Sequence, residues 1–243
     1  MKSAIKKLIP KRLQRSLIEI RNRRKSPEEI FTEIYEKGHW GDAPDGRKFC
    51  SGLGTIDENV EKYIGVLQAF ISKNGIESVF EIGCGDFSIM KSVLSDSLIK
   101  YTGSDVVKRV IDHLSETHGN PHTKFLHLDA IKSTSFPHAD LCVIRQVLQH
   151  LNNSQISEII RKTKAFKYVI ITEHIPLNPV VKNGDKSASG YIRLQNQLTS
   201  GVFLVAPPFS LDCKTLLSYR QDDSDHSGES IPALMVTSLI ENA

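Results

Sequence analysis

The stretch Val79-Phe80-Glu81-Ile82-Gly83-Cys84-Gly85-Asp86-Phe87-Ser88 decides the fold of this 243-residue chain. It begins as an apolar strand, passes through a turn with two glycines and ends in residues that suit the start of a helix. In an open parallel sheet, ligands bind at the carboxyl ends of the strands, and glycines let the main chain approach a bound nucleoside closely. The stretch therefore predicts a ligand site at one edge of such a sheet.

Around this stretch, short apolar or β-branched runs alternate with segments that are compatible with helices. This rhythm predicts an α/β fold with a Rossmann-like, doubly wound and mostly parallel sheet. Two later apolar runs, 201–206 and 234–240, would add antiparallel strands at one edge. The predicted strands are 78–82, 101–105, 124–128, 139–144 and 168–172, and the predicted helices between them lie around 87–97, 106–117 and 154–165.

The residues before the sheet favour two helices and a long loop. Ser26-Pro27-Glu28-Glu29 is typical of a helix start, with a hydroxyl cap, proline at the first helical position and acids in the first turn. That helix is predicted to end at Tyr35. Glycine and polar residues over 38–54 predict a loop. A helical apolar stripe from Val60 ends at Asn74-Gly75, which forms a favourable left-handed cap.

The first 25 residues form a strongly basic segment. Its apolar residues recur at three- and four-residue steps, so a helix here would be amphipathic, although Pro10 would break or kink it. Two interpretations stay open: a helix that lies on an anionic membrane surface or docks on a protein partner, and a solvated, frayed terminus. We expect a basic helical arm and lead-in over residues 1–45 and the α/β domain over 46–243. The charged residues of this segment are Lys2, Lys6, Lys7, Lys11, Arg12, Arg15, Glu19, Arg21, Arg23, Arg24 and Lys25.

Composition excludes several classes of protein. The formal net charge is only +3, which points to no polyanionic partner. The four cysteines lie far apart with no Cys-x-x-Cys pair, which fits neither a zinc ribbon nor a disulfide-stapled secreted module. No apolar run has the length of a membrane span, and the basic start lacks the features of a signal peptide. We expect a cytoplasmic protein, with the inner face of the membrane as an alternative location.

The residues of the glycine turn indicate which ligand it would hold. A dinucleotide fingerprint would place a third glycine at position 88, where this chain has Ser88. Glu81, just before the first glycine, tolerates a cationic ligand better than a diphosphate. This pattern resembles motif I of the class I S-adenosylmethionine-dependent methyltransferases, although that family's frequent third glycine is Phe87 here. The resemblance implies the seven-stranded methyltransferase fold and S-adenosyl-L-methionine as cofactor.

Further landmarks follow in the order that the family shows. Asp105 ends the second strand, where the resemblance implies an acid on the ribose hydroxyls, because a carboxylate accepts hydrogen bonds from both. Asp129 ends the third strand, near the expected adenine amino group, and residues 140–151 resemble the fourth strand and its following segment. Taken singly, such aspartates are more often solvated or helix-capping. The implied cofactor-binding residues are Trp40, Glu81, Gly83, Cys84, Gly85, Asp105, Val106, Asp129, Ala130 and Arg145.

The chain also resembles a narrower bacterial group of methyltransferases that is associated with surface-polysaccharide biosynthesis. This resemblance covers most of the chain and implies O-methylation of a sugar or glycan intermediate. A small-molecule or glycan acceptor is therefore the expected partner. The motifs that carry it are 30–35 with Trp40-Gly41, 51–54, His150-Leu151, 183–185, 193–195 and 206–209.

Methyl transfer to a hydroxyl requires a base that removes its proton, and such a base should follow the fourth or fifth strand. The candidates are His174, then His150, and Glu173, and each histidine could equally be a structural residue. Asp185 and Arg193 lie in a polar loop and could bind the substrate, or they could be solvated loop charges. No compact ligand spacing indicates a metal, so we predict none.

Three competing functions remain. A nucleic-acid methyltransferase would use the basic arm on phosphates, but 145–148 lacks the Asp/Asn-Pro-Pro-aromatic motif of base N-methylating enzymes, so we consider nucleic acid an unlikely partner. A cofactor-binding fold without catalysis could act as an assembly module, which the retention of Glu81, Gly83, Gly85 and Asp105 disfavours. A dehydrogenase is disfavoured by Ser88. Binding tests with S-adenosylmethionine and NAD separate these alternatives.

Overall fold

A computed structural model of the protein describes residues 18–43, 45–55, 59–95, 98–194, 199–224 and 229–242. Its centre is a seven-stranded sheet, and two very short strands form a separate ladder. The strands are β1 (Ser78–Ile82), β2 (Lys100–Asp105), β3 (Thr123–His127), β4 (Leu141–Arg145), β5 (Tyr168–Pro176), β6 (Lys214–Arg220), β7 (Asp223–Ser224), β8 (Ser230–Ile231) and β9 (Ala233–Glu241).

The order of the seven strands is β3-β2-β1-β4-β5-β9-β6. Strands β1 to β5 are parallel, and β9 runs antiparallel to both β5 and β6. The chain therefore leaves β1 in one direction along the sheet and returns to β4 on its other side. Parallel sheets open a crevice at this switch point, and it lies at the end of the predicted glycine turn. The predicted Rossmann-like, doubly wound and mostly parallel sheet is confirmed.

The helices begin and end where the capping residues indicate. Ser26 forms a capping box with Glu29, and Gly75 ends the second helix in the left-handed conformation, with φ at 60°. Asn152 and Gln155 form a second capping box before the last helix. The helices are α1 (Pro27–Glu36), α2 (Val60–Asn74), α3 (Ser88–Val93), α4 (Lys108–His118) and α5 (Asn153–Thr163), with short 3₁₀ turns at Leu53–Thr55 and Leu148–His150.

Alternate residues of the central strands face two separate cores. Val79 packs with α2, α3 and α4 on one face, and its neighbour Phe80 packs with α5 on the other. Both faces of β4 are covered, so all five of its residues are buried. This explains why the central strands are continuous apolar runs rather than alternating ones. Because both faces of the sheet are covered, the strand ends are the place where its polar groups can contact a ligand.

One expectation for the end of the chain needs correction. The run 201–206 is not a strand, because the Asn183 side chain accepts the N–H of Phe203 and donates to the carbonyls of Phe203 and Ala206, which folds the segment into a loop. Its apolar character comes from Val202 and Leu204, which pack on the second core. The antiparallel strands at the edge are instead β6 and β9, and the predicted run 234–240 lies in β9.

The basic arm lies largely outside the described residues, which begin at 18, and its division from the main domain stays a prediction. Residues 18–22 are helical and precede α1. Across the described part of the chain, no helix combines the length and the apolar character that crossing a membrane requires.

Candidate active site

A large cavity of about 1160 Å³ opens at the carboxyl ends of the parallel strands. The loops after β1, β2, β3 and β4 form its floor and sides. Helical residues 18–22, α1 and the loop 51–55 line it from the N-terminal part of the chain, and residues 190–192 and 221–223 line it from the C-terminal part. One cavity of this size at a topological switch point is the natural candidate for a ligand site.

The glycine turn forms part of the cavity floor and lies close to the loop after β4. Gly83 and Gly85 have φ of 73° and 54°, and a side chain at Gly83 would lie 2.4 Å from Val147 Cγ2. Both N–H groups of Gly83 and Cys84 donate to the Ser104 carbonyl, which ties the turn to β2. The turn therefore needs glycine for its backbone conformation and for its close approach to the loop after β4.

Phe87 stands where the resembling family often has a third glycine, and its backbone is also left-handed, with φ at 64°. This conformation is unfavourable for a residue with a side chain. The Phe87 ring lies 5.1 Å from that of Tyr101 and 5.0 Å from that of Phe125, so aromatic packing offsets the strain. The departure from the family pattern therefore preserves the shape of the turn.

Asp86 connects the glycine turn to the N-terminal loop. Its carboxylate accepts the N–H of Ser51 at 2.9 Å and that of Ser88 at 3.0 Å, and Arg47 lies 3.3 Å away. The Asp86 N–H in turn donates to Ser51 Oγ, which also bonds the Tyr35 hydroxyl. No local pattern in the sequence indicated these contacts of Asp86 and Ser51, although the glycine-rich stretch 51–54 indicated the loop.

Glu81 is buried at the bottom of the cavity. Its carboxylate accepts a hydrogen bond from the Tyr101 hydroxyl at 2.5 Å. Burial raises the pKa of Glu81 to about 8, while the Tyr101 hydroxyl and the Arg145 charge act in the opposite direction. Because burial disfavours the ionised form of this carboxyl, a ligand that carries a positive charge would stabilise it.

Arg145, at the end of β4, lies near Glu81 and also lines the cavity. Its Nη2 donates to the Gly54 carbonyl at 2.7 Å, and its guanidinium lies over the Tyr63 ring at 4.7 Å. Within the described part of the chain, its buried Nε and Nη1 have no hydrogen-bond partner. Buried N–H groups are rarely left unpaired, so these atoms are candidate donors to a ligand.

Asp105 and Val106 line the neighbouring part of the cavity, as predicted. The Asp105 carboxylate accepts the N–H of Val107 at 2.9 Å and that of Gly85 at 3.3 Å, so it connects β2 to the glycine turn. Burial raises the pKa of Asp105, and the main-chain donors oppose that rise. Asp105 lines the same cavity as Glu81 and Arg145.

Asp129 and Ala130 lie further along the same side. Asp129 accepts the N–H groups of Ile131 and Lys132, which forms a turn after β3. Lys162, on α5, is buried and donates to the carbonyls of Ala130 at 2.7 Å and Ile131 at 2.8 Å, as well as to that of Ser133. A long-range lysine thus fixes this loop, and no local pattern in the sequence indicated it.

Aromatic rings from the N-terminal region cover the other side of the cavity. Trp40 lies 4.9 Å from Tyr35, 6.1 Å from Phe31 and 5.9 Å from His150, measured between ring centroids. Phe31 meets His150 edge-on at 5.5 Å. The structure therefore brings Trp40 and His150 together in one aromatic cluster.

His150 is buried and lines the cavity. Its Nδ1 must carry the proton, because it contacts the Gly190 carbonyl oxygen, which can only accept. Burial, and after it the Lys186 charge, lowers the pKa of His150 to about 4, while the hydrogen bond to Gly190 acts in the opposite direction. A neutral imidazole with its Nε2 lone pair available results at neutral pH.

The other two base candidates are held differently. His174 lines the cavity, but its Nε2 donates to the Gln221 carbonyl at 2.5 Å and so is not the acceptor of a substrate proton. Glu173 is directed to the opposite face of the sheet, where its carboxylate accepts the N–H groups of Leu148 at 2.8 Å and Gln149 at 3.1 Å. Burial raises the pKa of Glu173 to about 8. Glu173 is therefore corrected from a base candidate to a support of the turn that carries His150.

Asp185 and Arg193 do not reach the described lining of the cavity, which corrects their predicted role in substrate binding. The Arg193 side chain is 0% exposed and donates to the carbonyls of Gly184 and Leu151 at 2.9 and 2.6 Å. Asp185 is exposed and accepts the N–H of Asn153 at the start of α5. Both residues anchor the loop 183–193, because the Asp185 carboxylate and the two terminal guanidinium nitrogens of Arg193 are paired with the main chain.

Neither Cys84 nor the acids of the described residues belong to a set of metal ligands. Burial raises the pKa of the Cys84 thiol, which keeps it protonated. Among the described residues, no three His, Cys, Asp or Glu side chains converge as metal ligands. That no metal is bound stays a prediction.

Solved structures with a similar fold include the N-methyltransferase NodS from Bradyrhizobium japonicum WM9 in complex with S-adenosyl-L-homocysteine. It is 14% identical over 84% of this chain and 97% of that chain, with a TM-score of 0.52. TehB from Haemophilus influenzae is 18% identical over 78% of this chain and 67% of that chain, also at 0.52. The [4+2]-cyclase SpnF is 13% identical over 75% of this chain and 82% of that chain, with a TM-score of 0.51. No protein-family model and no curated protein matches the chain.

These similarities confirm the predicted seven-stranded fold of class I methyltransferases. At these identities they show the fold alone, and the cyclase SpnF illustrates that one fold hosts different chemistry. The association with surface polysaccharides stays a prediction from the sequence.

Proposed function

We propose that this protein transfers a methyl group from S-adenosyl-L-methionine to an acceptor bound in the same cavity. One observation carries the proposal: Glu81, Arg145 and Asp105 converge around the glycine turn, at the switch point of the sheet. A phosphate-bearing cofactor would meet the carboxyls of Glu81 and Asp105 here, which disfavours it. A cationic nucleoside with an amino-acid end suits this set of groups.

The residues present fit the cofactor part by part. Its ammonium group would pair with Glu81, and its carboxylate would receive the buried Nε–H or Nη1–H of Arg145, which lack partners among the described residues. The ribose hydroxyls would donate to Asp105, which has one hydrogen bond on each carboxylate oxygen and lone pairs to spare. Val106, Asp129 and Ala130 would hold the adenine. When bound, the cofactor supplies an electrophilic methyl group on a sulfonium.

In this proposal His150 is the base that takes the proton of the acceptor. Its Nδ1–H is held by the Gly190 carbonyl, so Nε2 is the basic nitrogen, and the aromatic rings of Phe31 and Trp40 restrict its motion. His174, with Nε2–H committed to Gln221, would orient the acceptor rather than accept its proton. The order of the two predicted histidines is thereby reversed.

For the acceptor, we propose a sugar or glycan intermediate that is O-methylated in the cytoplasm, either free or at the inner face of the membrane. The support is the sequence resemblance to methyltransferases of surface-polysaccharide biosynthesis. Another small molecule or a nucleic acid is the alternative acceptor. The basic arm would contact a membrane or a protein partner.

Calorimetric titration with S-adenosylmethionine, S-adenosylhomocysteine and NAD tests the cofactor. We expect the first two to bind and NAD not to bind. Binding of NAD alone, or of none of the three to folded protein, would overturn the proposal and favour a dehydrogenase or an assembly module.

A second experiment tests the chemistry. Transfer of a labelled methyl group to a panel of nucleotide sugars, oligosaccharides, small amines and nucleic acids identifies the acceptor class. With that acceptor, His150→Gln should lower kcat more than 100-fold and His174→Gln less than about tenfold, since general-base catalysis contributes roughly 10² to 10⁴. The reverse order would assign the base to His174.

A further inference from the structure

Lys186 is a buried lysine outside the cavity lining, 8% exposed, and it lies beneath the turn that carries His150. Its Nζ contacts three carbonyl oxygens: Gln149 at 3.5 Å, His150 at 3.3 Å and Tyr191. An ammonium group has three N–H donors, so three carbonyls use its full capacity. Burial lowers the pKa of Lys186 to about 7.

The three carbonyls belong to the two segments that define the His150 ring position. Gln149 and His150 are in the 3₁₀ turn after β4, and Tyr191 follows Gly190, whose carbonyl receives the His150 Nδ1–H. The Gly190 N–H donates back to the His150 carbonyl at 3.1 Å. Lys186 therefore bridges the turn and the loop at the place where the imidazole is hydrogen-bonded.

Gly190 also has a specific requirement. Its φ is 122°, and a side chain there would lie 3.0 Å from Asn22 Nδ2, whose amide donates to the Ser189 carbonyl. The carbonyl of Gly190 is thus directed at His150 by a glycine conformation, by Asn22 on one side and by the Lys186 bridge on the other.

We infer that Lys186 is a positioning residue: it holds the His150 imidazole in the Nδ1–H form, unprotonated, with Nε2 presented to the cavity. The inference rests on the proposed function in assigning the base, but the geometry it invokes does not depend on the reaction. Lys186 touches neither the cavity nor a reacting atom, and it acts through the main chain and through its charge.

The charges around His150 support this assignment. A positive charge at Lys186 disfavours a second positive charge on the imidazole, so removing it raises the pKa of His150. The groups packed around the ring and its turn are Phe31 and Trp40 from the N-terminal region, Glu173 from β5 and Arg193 from the loop. The negative charge of Glu19 raises the pKa of Lys186 and so opposes the effect of burial.

The chain offers a matched control in Lys162. It is likewise buried and donates to three carbonyls, those of Ala130, Ile131 and Ser133, but it holds the loop after β3. Lys162→Met and Lys186→Met therefore remove the same kind of group from two different loops.

The test is NMR of the protein with ¹⁵N-labelled histidine, with the His150 signals assigned by His150→Gln. In the wild type we expect the Nδ1–H tautomer and no protonation above pH 6. In Lys186→Met the titration midpoint should rise by roughly one unit and the tautomer signals should become mixed. Lys186→Arg, which keeps the charge, should retain the low midpoint, and Lys162→Met should leave the His150 signals unchanged.

Unchanged His150 signals in folded Lys186→Met would overturn the inference. If Lys186→Met does not fold, the wild-type protein alone tests the inference. An Nε2–H tautomer of His150, or a His150 titration midpoint near 6.5, would contradict it. The Nδ1–H tautomer with no protonation above pH 6 would support it. S-adenosylhomocysteine binding is measured on each sample. Its failure in the wild type would reject the proposed function while leaving the result for Lys186 intact.

Discussion

The two halves of the cavity are built by different kinds of contact. In the half formed by the loops after β1, β2 and β3, which we term the cofactor half, Asp86, Asp105 and Asp129 each accept the N–H of the residue two positions later. In the half formed by residues 148–151 and 184–193, which we term the histidine half, the main chain of the turn 148–151 is held by Glu173, Lys186 and Arg193, between 24 and 42 positions away.

The comparison separates local from long-range organisation, and the cofactor half adds long-range supports to its local turns through Ser51, which donates to Asp86, and Lys162. An aspartate that binds its own turn needs only a few residues of sequence to form, and the Asp-turn hydrogen bond is common in loops. A turn whose N–H and carbonyl groups are paired with distant charged side chains forms only when the sheet and the loop 184–193 are in place. The two halves should therefore respond differently to mutation.

The largest expected effect is on stability, in the histidine half. Glu173→Ala leaves the buried N–H groups of Leu148 and Gln149 without an acceptor, which should lower the free energy of unfolding by about 3 to 4 kcal/mol. Urea unfolding measures it. Glu241→Ala, which removes an exposed glutamate paired with Lys214, is the control and should change stability by less than about 0.5 kcal/mol. Equal effects would mean that the turn does not depend on Glu173.

The next effect is on binding, in the cofactor half. Asp105→Ala removes the proposed acceptor of the ribose hydroxyls and should weaken S-adenosylhomocysteine binding roughly 30- to 100-fold, or about 2 to 3 kcal/mol. The fold should survive, because water in the cavity can solvate the freed N–H groups. Calorimetry measures the affinity, with Asp112→Ala, an exposed aspartate paired with Lys108, as the control. A near-unchanged affinity would show that the ribose contact is elsewhere.

The smallest expected effect is on the pH dependence of stability, and it concerns Glu81 in the cofactor half. Because the pKa of Glu81 is raised from 4.5 to about 8, the folded state binds more protons than the unfolded state between these values, and this group lowers stability as pH rises through that window. Glu81→Gln, which cannot ionise, should therefore gain stability relative to the wild type at pH 8 but not at pH 5, while binding S-adenosylhomocysteine more weakly.

Thermal unfolding at pH 5 and pH 8 measures the effect of Glu81→Gln. Glu61→Gln, at an exposed position in the first turn of α2, is the control and should show no pH-dependent gain. A loss of stability in Glu81→Gln at pH 8 would contradict the assigned pKa shift and would indicate an ionised, well-paired carboxylate in the protein without ligand.

The sequence by itself determined the sheet, the glycine turn and the acids Glu81, Asp105 and Asp129 in or just after β1, β2 and β3. Those features depend on periodicity, on backbone conformations that only a few residue types favour, and on hydrogen bonds within a few residues. Gly83, Gly85, Asp105, Val106, Asp129 and Ala130 accordingly lie in the cavity that the sequence indicated.

Only the tertiary structure decided which charged residues line the cavity and which hold its main chain in place from outside. Glu173, Asp185 and Arg193 carry the residue types of a catalytic or binding group, yet the fold pairs each of them with main-chain atoms away from the cavity. Lys162 and Lys186 had no local signal at all. Whether a charged side chain faces a ligand or a buried carbonyl depends on the distant segment that packs against it, because burial requires a partner and the partner lies elsewhere in the chain.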